Sequence, residues 1–328
     1  VRHLALSLLF PSLLALGCAR TTLAAPPGAS ALGPLATGLT GAPPTGPAPA
    51  LVREPLGMDY VQLVVVGDTG EPADFQARLR QSIKDEPSKD GVVVVGDLVY
   101  PQAPPCPDGT PNDAANAMLD ERVGAIIGGL GAPTYLLIGN HDVSRDPGEP
   151  PRAPCITTWI GAHPEHGLVM PASAYTVDFG VAILAIVDTN HLDARQAAMV
   201  KAAFDGHPGR KILAGHHVLK TYHDKQRQDV VRPWLVRYGI TPDVYLNGHA
   251  HVLQIGIYDG IPAVTSGTGA DPRDLPTCPP TCGRGQLWGN SEPGYAVVRI
   301  GPERLEVIFK DADGGELYRW RARQEKKP

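Results

Sequence analysis

The chain has 328 residues, 43% hydrophobic and 19% charged, enough apolar mass for a full core in one large domain or two small ones. Its net charge of -5 is mild and shows no basic block, which argues against nucleic acid as an obligate partner. The counts of 37 glycines and 34 prolines partly reflect a segment near the start, so they do not make the whole chain low-complexity.

Val1 to Ala25 predicts an export signal. Arg2 supplies a positive start, and Leu4 to Leu16 is an uncharged run too short to span a bilayer as a helix. Two readings of its end stay open. Leu14-Ala15-Leu16-Gly17-Cys18 is similar to a bacterial lipobox, with Cys18 lipidated at the mature N-terminus, although leucine usually stands where Ala15 is. The other is an ordinary signal peptide cut near Ala24-Ala25. Both predict export to the periplasm or cell envelope, either lipid-anchored through Cys18 or secreted. Pro26 to Pro55 has almost no charge and no apolar periodicity, which predicts a tether. A folded domain is expected over 56–322, and a charged tail over 323–328.

Four further cysteines, Cys106, Cys155, Cys278 and Cys282, suggest disulfides in an exported chain. Cys278 with Cys282 would close a small loop, and Cys106 with Cys155 would join two longer ones. Three pairings are possible, and spacing does not choose among them. A zinc clip is the competitor, without a second pair at ribbon spacing to support it.

Along the domain, Val61 to Val66 is a β-branched run that predicts a buried strand, followed by a helix over 72–84. Val92 to Val95 and Thr134 to Ile138 predict two more strands. The three end in Gly67-Asp68-Thr69-Gly70, Gly96-Asp97-Leu98-Val99-Tyr100 and Gly139-Asn140-His141-Asp142. Ligands of open α/β sheets sit beyond the carboxyl ends of strands, so Asp68, Asp97, Asn140 and His141 are expected on one rim. Ser173 to Phe179 and Val181 to Val187 predict a hairpin, and Asp193 to Asp205 a helix. Lys211 to Ala214 predicts a strand ending in Gly215-His216-His217, and Val230 to Tyr238 a helix. The strand Asp243 to Leu246 ends in Asn247-Gly248-His249-Ala250-His251, whose histidines can face one side in extended chain. Val252 to Tyr258, Ile261 to Ser266, Tyr295 to Ile300 and Leu305 to Lys310 read as antiparallel strands. Parallel units first and antiparallel strands later imply an α/β protein with two packed mixed sheets and helices outside, a four-layer αββα sandwich.

The five blocks together resemble the calcineurin-like metallophosphoesterase superfamily. The Gly-Asp-x-x-Tyr form of the second block, and Asp68 without a following ligand histidine, are similar to its purple acid phosphatase branch. The stretch from Trp234 to Gly267 resembles the small tartrate-resistant type in particular. The resemblance covers roughly Met58 to Asp271 and implies two metal ions. Asp68, Tyr100 and His251 would hold the first, ferric iron in that family. Asn140, His216 and His249 would hold the second, ferrous iron, zinc or manganese. Asp97 would bridge both, and His141 would act off the metals beside the leaving group. The donor chemistry agrees, since hard phenolate and carboxylate oxygens favour a trivalent ion while an amide and two imidazoles suit a divalent one.

These residues predict phosphate monoester hydrolysis by a metal-held hydroxide, with His141 protonating the leaving group. The substrate would be a phosphorylated small molecule or phosphoprotein. Alternatives are a phosphodiesterase or nucleotide-specific hydrolase on the same site, or a non-catalytic surface lipoprotein that binds metal or a partner. Asp142 either orients His141 or stabilises the turn. His217, where the mammalian-type enzymes usually have an aromatic residue, either lines the substrate pocket or packs behind the site. The loops Pro101 to Asp113, Pro147 to Pro154 and Cys278 to Gly285 could wall a cleft. Arg145, Arg152, Arg273 and Arg284 within or beside them could meet a phosphate. His163, His166, His191, His207 and His223 read as solvated or structural.

Overall fold

The computed structural model describes residues 50–322 except 54, 147, 221–229 and 276–284. The export signal with Cys18, most of the tether, His223, Cys278, Cys282, Arg284 and the charged tail lie outside the described residues.

In chain order the first half contains β1 (Ala50–Val52), β2 (Val61–Val66), α1 (Gln76–Asp85), β3 (Gly91–Val94) and α2 (Asp113–Leu119). A π turn (Asp120–Gly124) leads to α3 (Ala125–Ile127), β4 (Thr134–Leu136), α4 (Ala153–Ala162) and β5 (Leu168–Val169). Next come β6 (Tyr175–Asp178), β7 (Ala182–Ile186), α5 (Ala194–Asp205), β8 (Arg210–Ala214), α6 (Val231–Tyr238) and β9 (Val244–Asn247). The remainder is strand: β10 (Leu253–Tyr258), β11 (Ile261–Ser266), β12 (Gln286–Asn290), β13 (Gly294–Gly301), β14 (Arg304–Asp311) and β15 (Glu316–Arg321).

Two mixed sheets result. One runs β1-β6-β7-β8-β9-β11-β10-β12, the other β15-β14-β13-β2-β3-β4-β5. Alternation along the strands shows which face each side chain serves. Ala182, Leu184 and Ile186 of β7 join the large core shared with β2, β3 and β13, whereas Ile183, Ala185 and Val187 pack on α5 and α6. Leu213 and Tyr245 face the helices in the same way, while Ile212, Val244 and Leu246 face the shared core. Leu79 and Ile83 of α1 and Ile156 and Trp159 of α4 belong to the large core. The central strands are therefore buried on both faces, which is why β2 and β3 read as unbroken valine-rich runs rather than as alternation. The expected αββα sandwich is the observed one.

Several boundaries and pairings differ from the sequence reading. Helix α1 begins at Gln76 rather than Pro72, because Gln76 closes a turn: its Oε1 accepts the Ala73 amide at 3.1 Å, and its Nε2 donates to Thr69 O and Gly269 O at 2.8 and 3.1 Å. Ala50–Val52, assigned to the tether from composition, adds β1 in parallel to β6 at the sheet edge. The last strands do not share one sheet. Hairpin β10–β11 joins the first sheet with β11 parallel to β9, while β13–β14 continues the second from β2. Helices α2 and α4, within stretches that carried no predicted element, cover the second sheet. Asn112 caps α2 by accepting the Ala115 amide at 2.9 Å.

Strands β2, β3 and β4 run parallel in register, with Val66 opposite Val94 and Val94 opposite Leu136. Strands β8 and β9 do the same, with Ala214 opposite Leu246. All five carboxyl ends open on one rim.

Candidate metal centre

The rim turns are built from unusual backbone. Asp68, Asp97, His249 and His251 have φ of 57°, 54°, 67° and 53°. This left-handed region is sparsely used by residues with a Cβ, and such strain persists only where the surroundings over-determine it. Here they do. The Asp68 amide donates to Gly96 O at 2.9 Å, and the His249 amide donates to Asp68 Oδ2 at 2.9 Å. Gly139 has no Cβ for a steric reason, because one would overlap the Asp97 carboxylate.

Seven side chains converge in two clusters. In the first, Tyr100 Oη lies 3.1 Å from Asp68 Oδ1 and 3.1 Å from His251 Nε2, and His251 Nε2 lies 3.4 Å from Asp68 Oδ1. In the second, Asn140 Oδ1 lies 3.0 Å from His216 Nε2 and 2.9 Å from His249 Nδ1, and the two ring nitrogens are 3.2 Å apart. Asp97 Oδ2 joins them, 2.8 Å from Tyr100 Oη and 3.3 Å from His216 Nε2. Ligand atoms of Asp68, Asp97 and His216 all fall within 4.8 Å of one another, and the three residues are buried. The structure thus brings together every residue the sequence singled out as a metal ligand.

The proton count shows what the clusters suit. His216 Nδ1 is 2.8 Å from Val95 O, and His251 Nδ1 is 2.6 Å from Asp271 O. A carbonyl only accepts, so each Nδ1 carries hydrogen and a neutral ring turns the lone pair of Nε2 inward. Those lone pairs meet carboxylate, amide and phenolic oxygens. Tyr100 offers one proton to three acceptors. Lone pairs facing lone pairs in a buried site call for cations, and carbonyls that fix the ring tautomer are a usual support of metal-binding histidines. As bare side chains the groups share protons awkwardly. Burial raises Asp68 to about 8. Burial opposes charge on His216, yet Asp97 beside it overrides this and lifts it to about 10. Burial presses His249 down to about 2 and His251 to about 4. The Tyr100 hydroxyl is pushed far up by burial, then by Asp68 and Asp97. A bound cation would push Asp68, His216 and Tyr100 back down, and it suits His249 and His251 as they already are, neutral. The residues fit bound metal.

His141 stands at the edge of the clusters, half-buried. Its amide donates to Asp97 Oδ1 at 2.9 Å, its Nδ1 is 2.6 Å from Pro101 O, and its ring lies 4.5 Å from that of Tyr100. Asp142 does not orient it. Buried, Asp142 accepts the amides of Leu98 at 2.9 Å, Val99 at 3.3 Å and Gly139 at 2.8 Å, so it stabilises the turns. His217 is buried behind the second cluster. Its Nδ1 is 2.7 Å from Thr189 Oγ1, and its ring is 4.7 Å from that of His249.

The walls are partly as expected. Cys106 and Cys155 form a disulfide, though Cys155 sits in α4 rather than a loop. Arg152 donates to Ala103 O and pairs with Glu149 at 3.5 Å, a structural role. Arg145 reaches the His141 edge, and Arg273 lies beside Asp271 at 3.9 Å. His207 is 3.1 Å from Asp178, and His163 and His166 stack on Trp159, all away from the clusters. Sequence reasoning missed the carbonyls of Val95 and Asp271 and the brace from Gln76. Backbone acceptors leave no residue-type signal, and a glutamine at a helix start looks ordinary.

Residues 61–253 match the family of calcineurin-like phosphoesterases. The chain belongs to that family. No curated protein matches it. Among solved structures, GAP50, the anchor in the inner membrane complex of Plasmodium, is similar at 13% identity and a TM-score of 0.62, covering 82% of this chain and 90% of that one. Purple acid phosphatase PPD1 from yellow lupin seeds is similar at 16% identity and a TM-score of 0.57, covering 80% of this chain and 53% of that one. PhoD is similar at 12% identity and a TM-score of 0.51, covering 84% and 70%. At such identities the likeness shows the fold alone. Family membership implies divalent metal ions, and this calcineurin-like phosphoesterase has a buried donor set that could hold them.

Proposed function

We propose that the protein is a phosphatase with a two-metal site, hydrolysing phosphate monoesters. The observation that carries this is Asp97 Oδ2, set between Tyr100 at 2.8 Å and His216 at 3.3 Å, so one carboxylate can serve two ions. Asp68, Tyr100 and His251 would hold one ion, and Asn140, His216 and His249 the other. Hard oxygen donors favour ferric iron at the first position, while the amide and imidazoles suit ferrous iron, zinc or manganese at the second. This is the purple acid phosphatase arrangement. Bound there, the ions would neutralise the phosphoryl oxygens and acidify a water to serve as nucleophile.

The chain's own residues do the rest. Pro101 O holds His141 Nδ1, so Nε2 is left to deliver a proton to the departing oxygen. Asp142 and Gly139 keep the Asp97 and Asn140 turns in register. Substrates would be phosphorylated small molecules or phosphoproteins. The disulfide supports an exported, envelope-located protein, with Cys18 as a lipid attachment site.

GAP50 is an anchor, so the scaffold by itself does not imply turnover. The complete donor set and His141 favour catalysis over a non-catalytic binder. The test is elemental analysis and a visible spectrum of protein purified without chelators, with phosphate release from p-nitrophenyl phosphate and its bis ester. Two metals per chain, a pink to violet colour lost in Tyr100→Phe, and preference for the monoester are expected. Preference for the bis ester would make it a phosphodiesterase. A colourless protein with full iron occupancy would remove Tyr100 from the ligand set.

A further inference from the structure

Arg145 is the one arginine of the described site-flanking loops with no carboxylate partner. Arg152 pairs with Glu149 and Arg273 lies beside Asp271, but no side-chain ion pair forms at Arg145 among the described residues. Its backbone is fixed, since its amide donates to Glu149 Oε2 at 3.1 Å. Its side chain is exposed, with Nη2 3.3 Å from Pro101 O and 3.0 Å from His141 Nδ1. Two donors therefore crowd one carbonyl, and the His141 bond to it is the shorter, 2.6 Å against 3.3 Å. The guanidinium is held loosely, and most of its five N–H groups are left over. A loosely held, uncompensated cation beside the expected proton donor is poorly explained as bracing.

We propose that Arg145 is a substrate-binding residue that selects the doubly charged phosphoryl group of a monoester over the singly charged group of a diester. This rests on the phosphatase reading above and deepens it. From its resting place the guanidinium swings past the imidazole edge to a phosphoryl oxygen, where its fork can engage two oxygens at once. Attraction to a point cation scales with the charge of the anion, so a dianion gains about twice what a monoanion gains at the same distance. A monoester also has a free oxygen where a diester has an ester group. Arg152 and Arg273, already engaged, do not make this distinction.

The test uses binding, so it does not depend on turnover. Calorimetry on the metal-loaded full chain measures inorganic phosphate, at a pH where it is a dianion, and dimethyl phosphate, a monoanion. Arg145→Gln is expected to weaken inorganic phosphate about tenfold while dimethyl phosphate weakens only about threefold, the factor left when the lost attraction is halved. Arg145→Lys keeps the charge and is expected to recover most, though not all, of the loss. Equal weakening of both anions, or no weakening of inorganic phosphate, would overturn the proposal. A wild type that binds inorganic phosphate but releases none from p-nitrophenyl phosphate would defeat the phosphatase reading, and the Arg145 comparison would still decide its own question.

Discussion

Asp142 Oδ1 accepts the Leu98 backbone amide at 2.9 Å, tying the turn after β4 to the turn after β3. Its other oxygen takes the Gly139 amide at 2.8 Å, so one buried carboxylate sets the spacing between the loops that carry Asp97 and Asn140. Removing it strands buried donors. Asp142→Ala should lower unfolding stability by about 2–4 kcal/mol and reduce bound metal. Urea denaturation with elemental analysis checks both. A loss under about 1 kcal/mol with full metal content would mean the turns hold themselves.

His141 touches Asp97 only through its backbone amide, so the donor clusters survive without its ring. His141→Ala should keep the metals and lose about a hundredfold or more in kcat on an alkyl phosphate, with a smaller loss on p-nitrophenyl phosphate, whose leaving group needs little protonation. Unchanged turnover of the alkyl ester would refute the proton-donor role.

Glu306 of β14 is buried beneath Arg304, Arg319 and Arg321, with Arg299 at 3.3 Å. Burial opposes its charge, but hydrogen bonds from Arg304, Arg321 and Arg319 more than reverse this and bring its pKa from 4.5 down to about 2. A depressed carboxylate adds stability that is complete above the unfolded value and lost as pH falls towards the folded one. Wild type should therefore lose stability between pH 4.5 and about 2, and Glu306→Gln should be weaker at neutral pH and flatter across that window. Thermal melts in citrate and phosphate series measure it. Parallel pH profiles for the two proteins would show that the arginines do not hold the charge.

The Cys106–Cys155 disulfide spans a sequence separation of 49 residues and joins the loop of Pro101 to α4. Chain-entropy arguments put a loop of that length at about 4 kcal/mol. A Cys106→Ser, Cys155→Ser double variant should melt lower, as scanning calorimetry would register. An unchanged midpoint would mean that the hydrogen bonds between Cys106 and Pro151, and between Ala103 and His141, suffice.

Much of this was legible in the residues. Glycine before Asp68, Asp97 and Asn140 at the ends of β-branched runs marked the rim, and the central strands of both layers followed from their composition, whereas β1, β5, β12 and β15 did not. Tertiary choices were less visible. The hairpins β10–β11 and β13–β14 look alike in sequence, and only the pairing of β11 with β9 and of β13 with β2 separates them. Helix α4, with Ile156, Thr157 and Thr158 in its first turns, has weak intrinsic propensity and is held by burying Trp159. Whether Asp142 faced His141 or the amides of its neighbours depended on a side-chain direction that residue order does not carry.

The donor set draws on both sheets: Asp68, Asp97, Tyr100 and Asn140 follow β2, β3 and β4, while His216, His249 and His251 follow β8 and β9. Ions seated there would act as a cross-brace between two halves that otherwise share an apolar core and hydrogen bonds such as Ser266 Oγ to Val65 O. Occupancy would then be felt far from the rim, because opening one half would require giving up ligands to the other. For such a molecule, resistance to unfolding becomes a property of its surroundings, rising and falling with the free metal available to it.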